Sequence, residues 1–362
     1  LFSTPHLFLI HQLKDLIASK SNTLGALALK AALWCASQPY AAGVWLRNAA
    51  FDRQLKKSTQ VGVPVISVGN LTAGGTGKTP MVAYLAQWFR SKNRRVAILS
   101  RGYGAGVDGR NDEAKELERG LPDVPHLQSP DRVATARIAI EELEMEVLLL
   151  DDGFQHRRIA RSLEIVLLDA REPFGYGYLL PRGLLREPIR SLKRADIVVA
   201  TRADQVDPKQ LASIRSRVQR YAPRVAWLEA AHVPKNLRNA EGNTQDLEWI
   251  KDRKILAVCG IGSPDAFFQT LQDLGANVVN KIVFPDHHDY KAGDIREIGI
   301  TAEASECEAI LCTGKDLAKI DVSMIERFPI YSLDIEMEII LGQEILADHL
   351  KEIVRQMRRE PS

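Results

Sequence analysis

Cysteine is scarce and scattered in this chain of 362 residues: Cys35, Cys259, Cys307 and Cys312 lie far apart, with no CxxC pair. That spacing excludes the disulfide framework of a small secreted domain and the paired ligands of a zinc site, so reduced thiols in a cytosolic setting and no structural metal are expected. A surplus of either charge is also missing. Lys and Arg number 48 against 46 Asp and Glu, a net charge of +2, so the overall field gives no reason to expect nucleic acid as a partner, and any basic site must be local. There is no internal repeat and no low-complexity tract. What is present, 45% apolar and 26% charged residues, suffices for a full core, and at roughly 150 residues per domain the length suggests two domains.

An uninterrupted apolar run long enough for a membrane span is missing too. The richest stretch, "LGALALKAALWCASQPYAAGVWL" from Leu24 to Leu46, carries Lys30 inside and Pro39 near its middle, whereas a spanning helix needs about 20 predominantly apolar residues. A basic start, apolar core and small-residue cleavage site do not occur in the order of a secretory signal. Lys14, Lys20, Lys30 and Arg47 flank apolar faces, as on helices lying in a membrane interface. Plain packing of these helices on the first domain explains the composition equally well.

Beyond residue 60 short β-rich runs alternate with helical stretches. "VPVISV", "RRVAILS", "EVLLLDD", "EIVLLDA" and "ADIVVAT" read as buried strands, and Met81, Val82, Leu85, Ala86 and Phe89 recur at helical period. This is the pattern of a mostly parallel sheet with helices on its faces. A second α/β set follows, from "KILAVCG" to a charged terminal helix. Turn residues between the two sets place a boundary near residue 222. The expected organisation is a P-loop NTPase-like domain over 1–222, with N-terminal amphipathic helices to about residue 57, and a second, smaller α/β domain over 223–362.

The P-loop expectation comes from "GNLTAGGTGKTP", Gly69 to Pro80, directly behind an apolar strand and ahead of an amphipathic helix. In such a loop backbone N–H groups from Thr72, Ala73, Gly74, Gly75, Thr76 and Gly77 wrap phosphates, Lys78 bridges phosphate oxygens and the Thr79 hydroxyl ligates Mg²⁺. Thr72 stands where the full pattern has Gly. Pro80 is harmless, because the first helical turn has N–H groups without internal partners. Asp151 and Asp152 close "VLLLDDG", which brings two carboxylates to the carboxyl edge of the sheet, where a metal beside bound phosphates needs them. Gln155, His156, Arg157, Arg158, Arg182 and Arg186 follow, the arginines suited to clamp an anionic acceptor or balance the transferred charge. Arg190, Lys193 and Arg194 read as ordinary basic surface. "PDHHDY" admits a metal site, a solvated loop or a catalytic histidine.

Taken in order, "SVGNLTAGGTGKTP", "LSRGYG", "LLLDDGFQHRR", "LPRGLLREP", "FPDHHDY" and "CTGKDLAKI" resemble the tetraacyldisaccharide 4′-kinase family, which phosphorylates a membrane-borne disaccharide of the lipid A pathway. The motifs run from Ser67 to Ile320, and Ser or Thr at the position of Thr72 is common in that family. One stretch departs: "NDEA", Asn111 to Ala114, stands where the family often has Gly-Asp-Glu-Pro. The resemblance implies ATP and Mg²⁺ as cofactors and a lipid disaccharide 1-phosphate as acceptor. It also implies that Asp112 and His287 form a dyad drawing the proton from the sugar 4′-hydroxyl, one residue from each domain and so completed on closure. By the same likeness Asn70, Tyr103, Arg132, Gln155, His156 and Arg186 surround the acceptor, while Glu113 joins Thr79, Asp151 and Asp152 near Mg²⁺. A four-chain acceptor stays in the bilayer, which favours the interfacial reading of the N-terminal helices and implies a peripheral or monotopic protein at the cytoplasmic face of the bacterial inner membrane.

Two rivals use the same loop. Membrane-associated P-loop ATPase switches, which phosphorylate no acceptor, carry an extra Lys before the paired glycines, and here that place is Ala73. A GTPase would read guanine with an Asp near "TRAD", Thr201 to Asp204, where capping by Asp204 is the simpler expectation.

Overall fold

The computed structural model describes residues 23–102, 112–262, 264–286 and 288–357; the side chains of residues 112 and 113 are outside that description. The described chain forms two compact units, one of residues 1–101, 124–232 and 337–362, the other of residues 102–123 and 233–336.

In the first unit, strands β1 (Val65–Asn70), β2 (Val96–Ser100), β3 (His126–Gln128), β4 (Val147–Asp151), β5 (Leu163–Asp169), β6 (Ile197–Thr201) and β7 (Ala226–Arg238, as far as His232) lie in the order β7-β6-β5-β1-β4-β2-β3. Every pairing along that path is parallel. Strands β1, β2, β4, β5 and β6 are almost wholly buried because both faces are covered. Phe154, Val166, Leu168, Ile214, Val218 and Trp227 fill one cluster, and Val65, Ala97, Leu99, Ala136, Leu148 and Leu150 fill another. Helix α1 (Leu24–Asp52) precedes the sheet, and α2 (Lys78–Ser91) follows β1 with Met81, Val82, Leu85, Ala86 and Phe89 buried as their period requires. Among the described residues no helix is long and apolar enough to cross a membrane.

In the second unit, helix α3 (Asp112–Gly120) accompanies β8 (Thr244–Gln245), β9 (Lys254–Cys259), β10 (Asn277–Val283), β11 (Ala309–Thr313), β12 (Met324–Ile325) and β13 (Phe328–Leu341, as far as Glu336). Strands β10-β9-β11-β13 are parallel neighbours. The strand that leaves the first unit, β7, and the one that returns to it, β13, each carry residues of both units. The chain therefore changes unit within strands, and the change falls at 232/233 rather than in the turn-rich segment after Tyr221. All four cysteines are free thiols.

Candidate active site

The loop between β1 and α2 is shaped by close backbone approach. A Cβ on Gly69 would stand 2.5 Å from the Phe154 amide nitrogen, so only glycine lets β1 pass the turn after β4. Gly74 and Gly77 have φ of 126° and 86°, the left-handed region that glycine enters without strain, and Gly77 is the N-cap of α2. Four neighbours brace the loop. Thr201 Oγ1 donates to the Thr76 carbonyl at 2.9 Å and Arg202 to that of Gly75 at 3.1 Å. On the other side the Ala73 N–H donates to Leu184 O and the Arg186 N–H to Leu71 O, at 2.7 and 2.9 Å. Thr72 is buried and bridges antiparallel to Leu185, a strand-like role that explains why a β-branched residue serves there in place of glycine.

Strand β4 ends in Asp151, and Asp152 turns back with φ 48°. Lys78 Nζ stands 3.7 Å from Asp152 Oδ1, and Arg186 donates to both Asp152 oxygens at 2.7 Å. Arg132, buried at the start of helix α4 (Arg132–Glu141), donates to the Asp152 carbonyl at 3.2 Å. Burial alone raises the Asp152 pKa, but Lys78, Arg186 and Arg132 outweigh it and hold the carboxyl below its usual range. The carboxyl is therefore ionised at neutral pH and faces Lys78 at the end of the nucleotide loop.

Around it lie polar atoms without partners among the described residues: Asn70 Oδ1, Arg132 Nε, His156 Nε2 and, in the loop, Thr76 Oγ1. Gln155 donates to Asn70 O at 2.9 Å. Burial, then Arg132, Arg161 and Arg158, push the His156 pKa down to about 4, so its imidazole is neutral at physiological pH. Buried polar atoms are ordinarily satisfied, and these four lie on residues of the loop and of the strand edge beside it. The chemistry of the residues suits Mg²⁺, since Thr79, Asp151 and Asp152 offer only hard oxygen donors.

Of the sequence candidates, Asn70, Arg132, Gln155, His156 and Arg186 meet at this edge with Thr72 to Thr79 and the two acids. Tyr103 and His287 lie outside the described residues, as do the side chains of Asp112 and Glu113. Residues 102–123 group with the second unit. Three arginines stand elsewhere than expected. Arg157 bonds Asn48 O and Asp52 on α1, and Arg182 stacks on Tyr178 with its guanidinium 4.3 Å from the ring centre. Arg194, expected at the surface, is largely buried over Phe154 and bonds Glu187. Asp204 sits inside the short 3₁₀ turn Ala203–Gln205 and caps nothing. Thr201, Arg202 and His232 were not legible as loop neighbours; the Nε2 of His232 lies 2.4 Å from where a Gly77 Cβ would stand.

Fold and loop define the class first: a P-loop nucleotide-binding protein. The model of the family described as tetraacyldisaccharide-1-P 4′-kinase matches residues 29–355. A tetraacyldisaccharide 4′-kinase of Anaeromyxobacter sp. (strain K) is 39% identical over 348 residues, covering 90% of this chain and 91% of that one. Another, from Syntrophus aciditrophicus, is 40% identical over 330 residues, covering 83% and 87%. The crystal structure of LpxK from Aquifex aeolicus in complex with ATP superposes with a TM-score of 0.73 at 30% identity, covering 90% of this chain and 99% of that one. The chain belongs to the tetraacyldisaccharide-1-P 4′-kinase family and is a kinase. An ATPase switch without an acceptor is not favoured.

Proposed function

We propose that this chain transfers the γ-phosphate of ATP to the 4′-hydroxyl of a tetraacylated glucosamine disaccharide 1-phosphate at the cytoplasmic face of the bacterial inner membrane. The observation that carries the reading is the convergence of Lys78 and Arg186 on Asp152 beside a glycine loop, ringed by unsatisfied polar atoms. Polar side chains grouped there supply donors and acceptors suited to a polyhydroxylated partner.

Loop amides and Lys78 hold the triphosphate in line for attack, and Arg186 and Arg132 set the charge on their side of the loop. Thr79, Asp151 and Asp152, with Glu113 by family likeness, would hold Mg²⁺. When bound, the ion neutralises charge developing on the phosphates. Asn70, Gln155 and neutral His156 orient the sugar, and Tyr103 joins them by the same likeness. Asp112 and His287 draw the proton from the 4′-oxygen. His287→Ala is expected to lower turnover by about 10²–10⁴-fold while nucleotide binding persists; wild-type turnover in that variant contradicts the dyad. The test of the whole reading is the product: with ATP and the purified acceptor, mass spectrometry should find one added phosphate on the sugar distal to the 1-phosphate. An unmodified acceptor overturns it.

Membrane docking through the N-terminal region belongs to the same proposal. Helix α1 turns its apolar residues outward, with Leu24, Trp34, Trp45 and Leu46 at half exposure or more, and its polar stripe of Ser37, Arg47 and Asn48 toward the first unit. This inverts the soluble pattern and suits the acyl boundary of a bilayer.

A further inference from the structure

The same polar stripe ends on a residue that the phosphoryl-transfer chemistry does not use. Glu187 is fully buried, and its carboxylate accepts from Arg47 and Asn48 of α1, each at 2.8 Å, and from Arg194 at 3.0 Å. A buried carboxylate is tolerable only with such donors, and removing one side of the set leaves an uncompensated charge. Two of its three donors come from α1.

The preceding residue is Arg186, whose backbone is held at both ends. Its N–H donates to Leu71 O in the nucleotide loop at 2.9 Å, and its carbonyl accepts from Tyr40 Oη of α1 at 2.9 Å. Its guanidinium lies on both oxygens of Asp152 at 2.7 Å. A line of bonds therefore runs from α1 through Glu187 and Arg186 to Asp152 and to the start of the loop, all within the first unit.

We infer that Glu187 is a positioning residue: it locks helix α1 to the segment bearing Arg186, so that the seating of α1 sets where Arg186 stands on Asp152 beside the nucleotide loop. Displacement of α1 strands the buried carboxylate on Arg194 alone and frees the Arg186 carbonyl, and the guanidinium loses its fixed approach. Catalytic geometry is sensitive to shifts of this kind, about 10²-fold for 1 Å. The device makes the N-terminal helix part of the turnover machinery as well as an attachment.

The test compares full-length wild type with Arg47→Ala, Glu187→Gln and the double variant. Three readings are taken: turnover per folded molecule, affinity for a fluorescent ATP analogue, and amide hydrogen exchange of peptides covering residues 71–73 and 179–187. Each single variant is expected to lose roughly tenfold or more in turnover with nucleotide affinity within about twofold. The double variant should be no worse than the poorer single one, because one linkage has been cut twice. Exchange should rise in those two peptides and not elsewhere in the sheet. Losses that multiply in the double variant overturn the inference, as does full turnover per folded molecule with only a lowered melting temperature. If Glu187→Gln does not fold, Arg47→Ala, whose side chain is 37% exposed, carries the comparison alone. The turnover arm rests on the kinase reading; the exchange arm does not. Wild type that binds nucleotide but phosphorylates no lipid defeats that reading, while unchanged exchange in Arg47→Ala defeats this inference.

Discussion

Asp152 receives Lys78, both oxygens' worth of Arg186 and, through its carbonyl, Arg132. Arg186→Ala should lower turnover by about 10–10³-fold with the fold intact, since a fixed cation at developing charge contributes several kcal/mol; steady-state kinetics beside a thermal melt would check it. Histidine protonation gives a second residue-level outcome. His156 is held near 4, and His232 is pushed to about 3 by burial and then Arg202, whereas in the unfolded chain both titrate near 6.5. Below that value the unfolded state binds more protons, so stability is lost as pH falls from about 6.5 toward 4 and 3. The urea midpoint should drop between pH 7 and pH 5, and His232→Leu should flatten part of that slope. Lys78 and the acid pair were legible because phosphate chemistry dictates their spacing from a strand. Arg157 and Arg194 were not, since a run of basic residues does not reveal which acid each will meet across the fold.

Among the elements, the apolar strands β1, β2, β4, β5 and β6 and the helix after the loop were legible, because a parallel sheet covered on both faces leaves apolar runs, whereas β3 and the mixed strand β7 were not. The brace formed by residues 178–187 was missed: it pairs with the loop by one bridge and a few backbone bonds, too short to leave a periodic signal. Gly69→Ala tests the tightness of this construction. Its Cβ would meet the Phe154 backbone nitrogen and Cβ, neither of which can rotate away, so a loss of about 1–3 kcal/mol in chemical denaturation is expected. Helix α1 is tested by Trp45→Glu, at a side chain 51% exposed. Withdrawing one buried aromatic from an apolar boundary costs roughly 1.5–3 kcal/mol, so vesicle partitioning should fall about tenfold or more with little change in melting. Unchanged partitioning would leave α1 as a packing helix only.

For the whole molecule, the chain divides into two compact units whose boundary does not follow chain order. Strands β7 and β13 change unit midway, and residues 102–123 belong with the second unit. Turn residues near 222 could not show this, because the later half of β7, with Pro234, Lys235 and Asn236, reads as loop although it continues the strand. The proposed transfer needs both the nucleotide loop and the proton-drawing pair Asp112 and His287.

That requirement is measured most directly by following the fate of the γ-phosphate. With labelled ATP and purified lipid disaccharide, the account predicts that label passes to the lipid far faster than to water, and that His287→Ala abolishes the first without raising the second. Label released to water at the same rate with and without acceptor would contradict it.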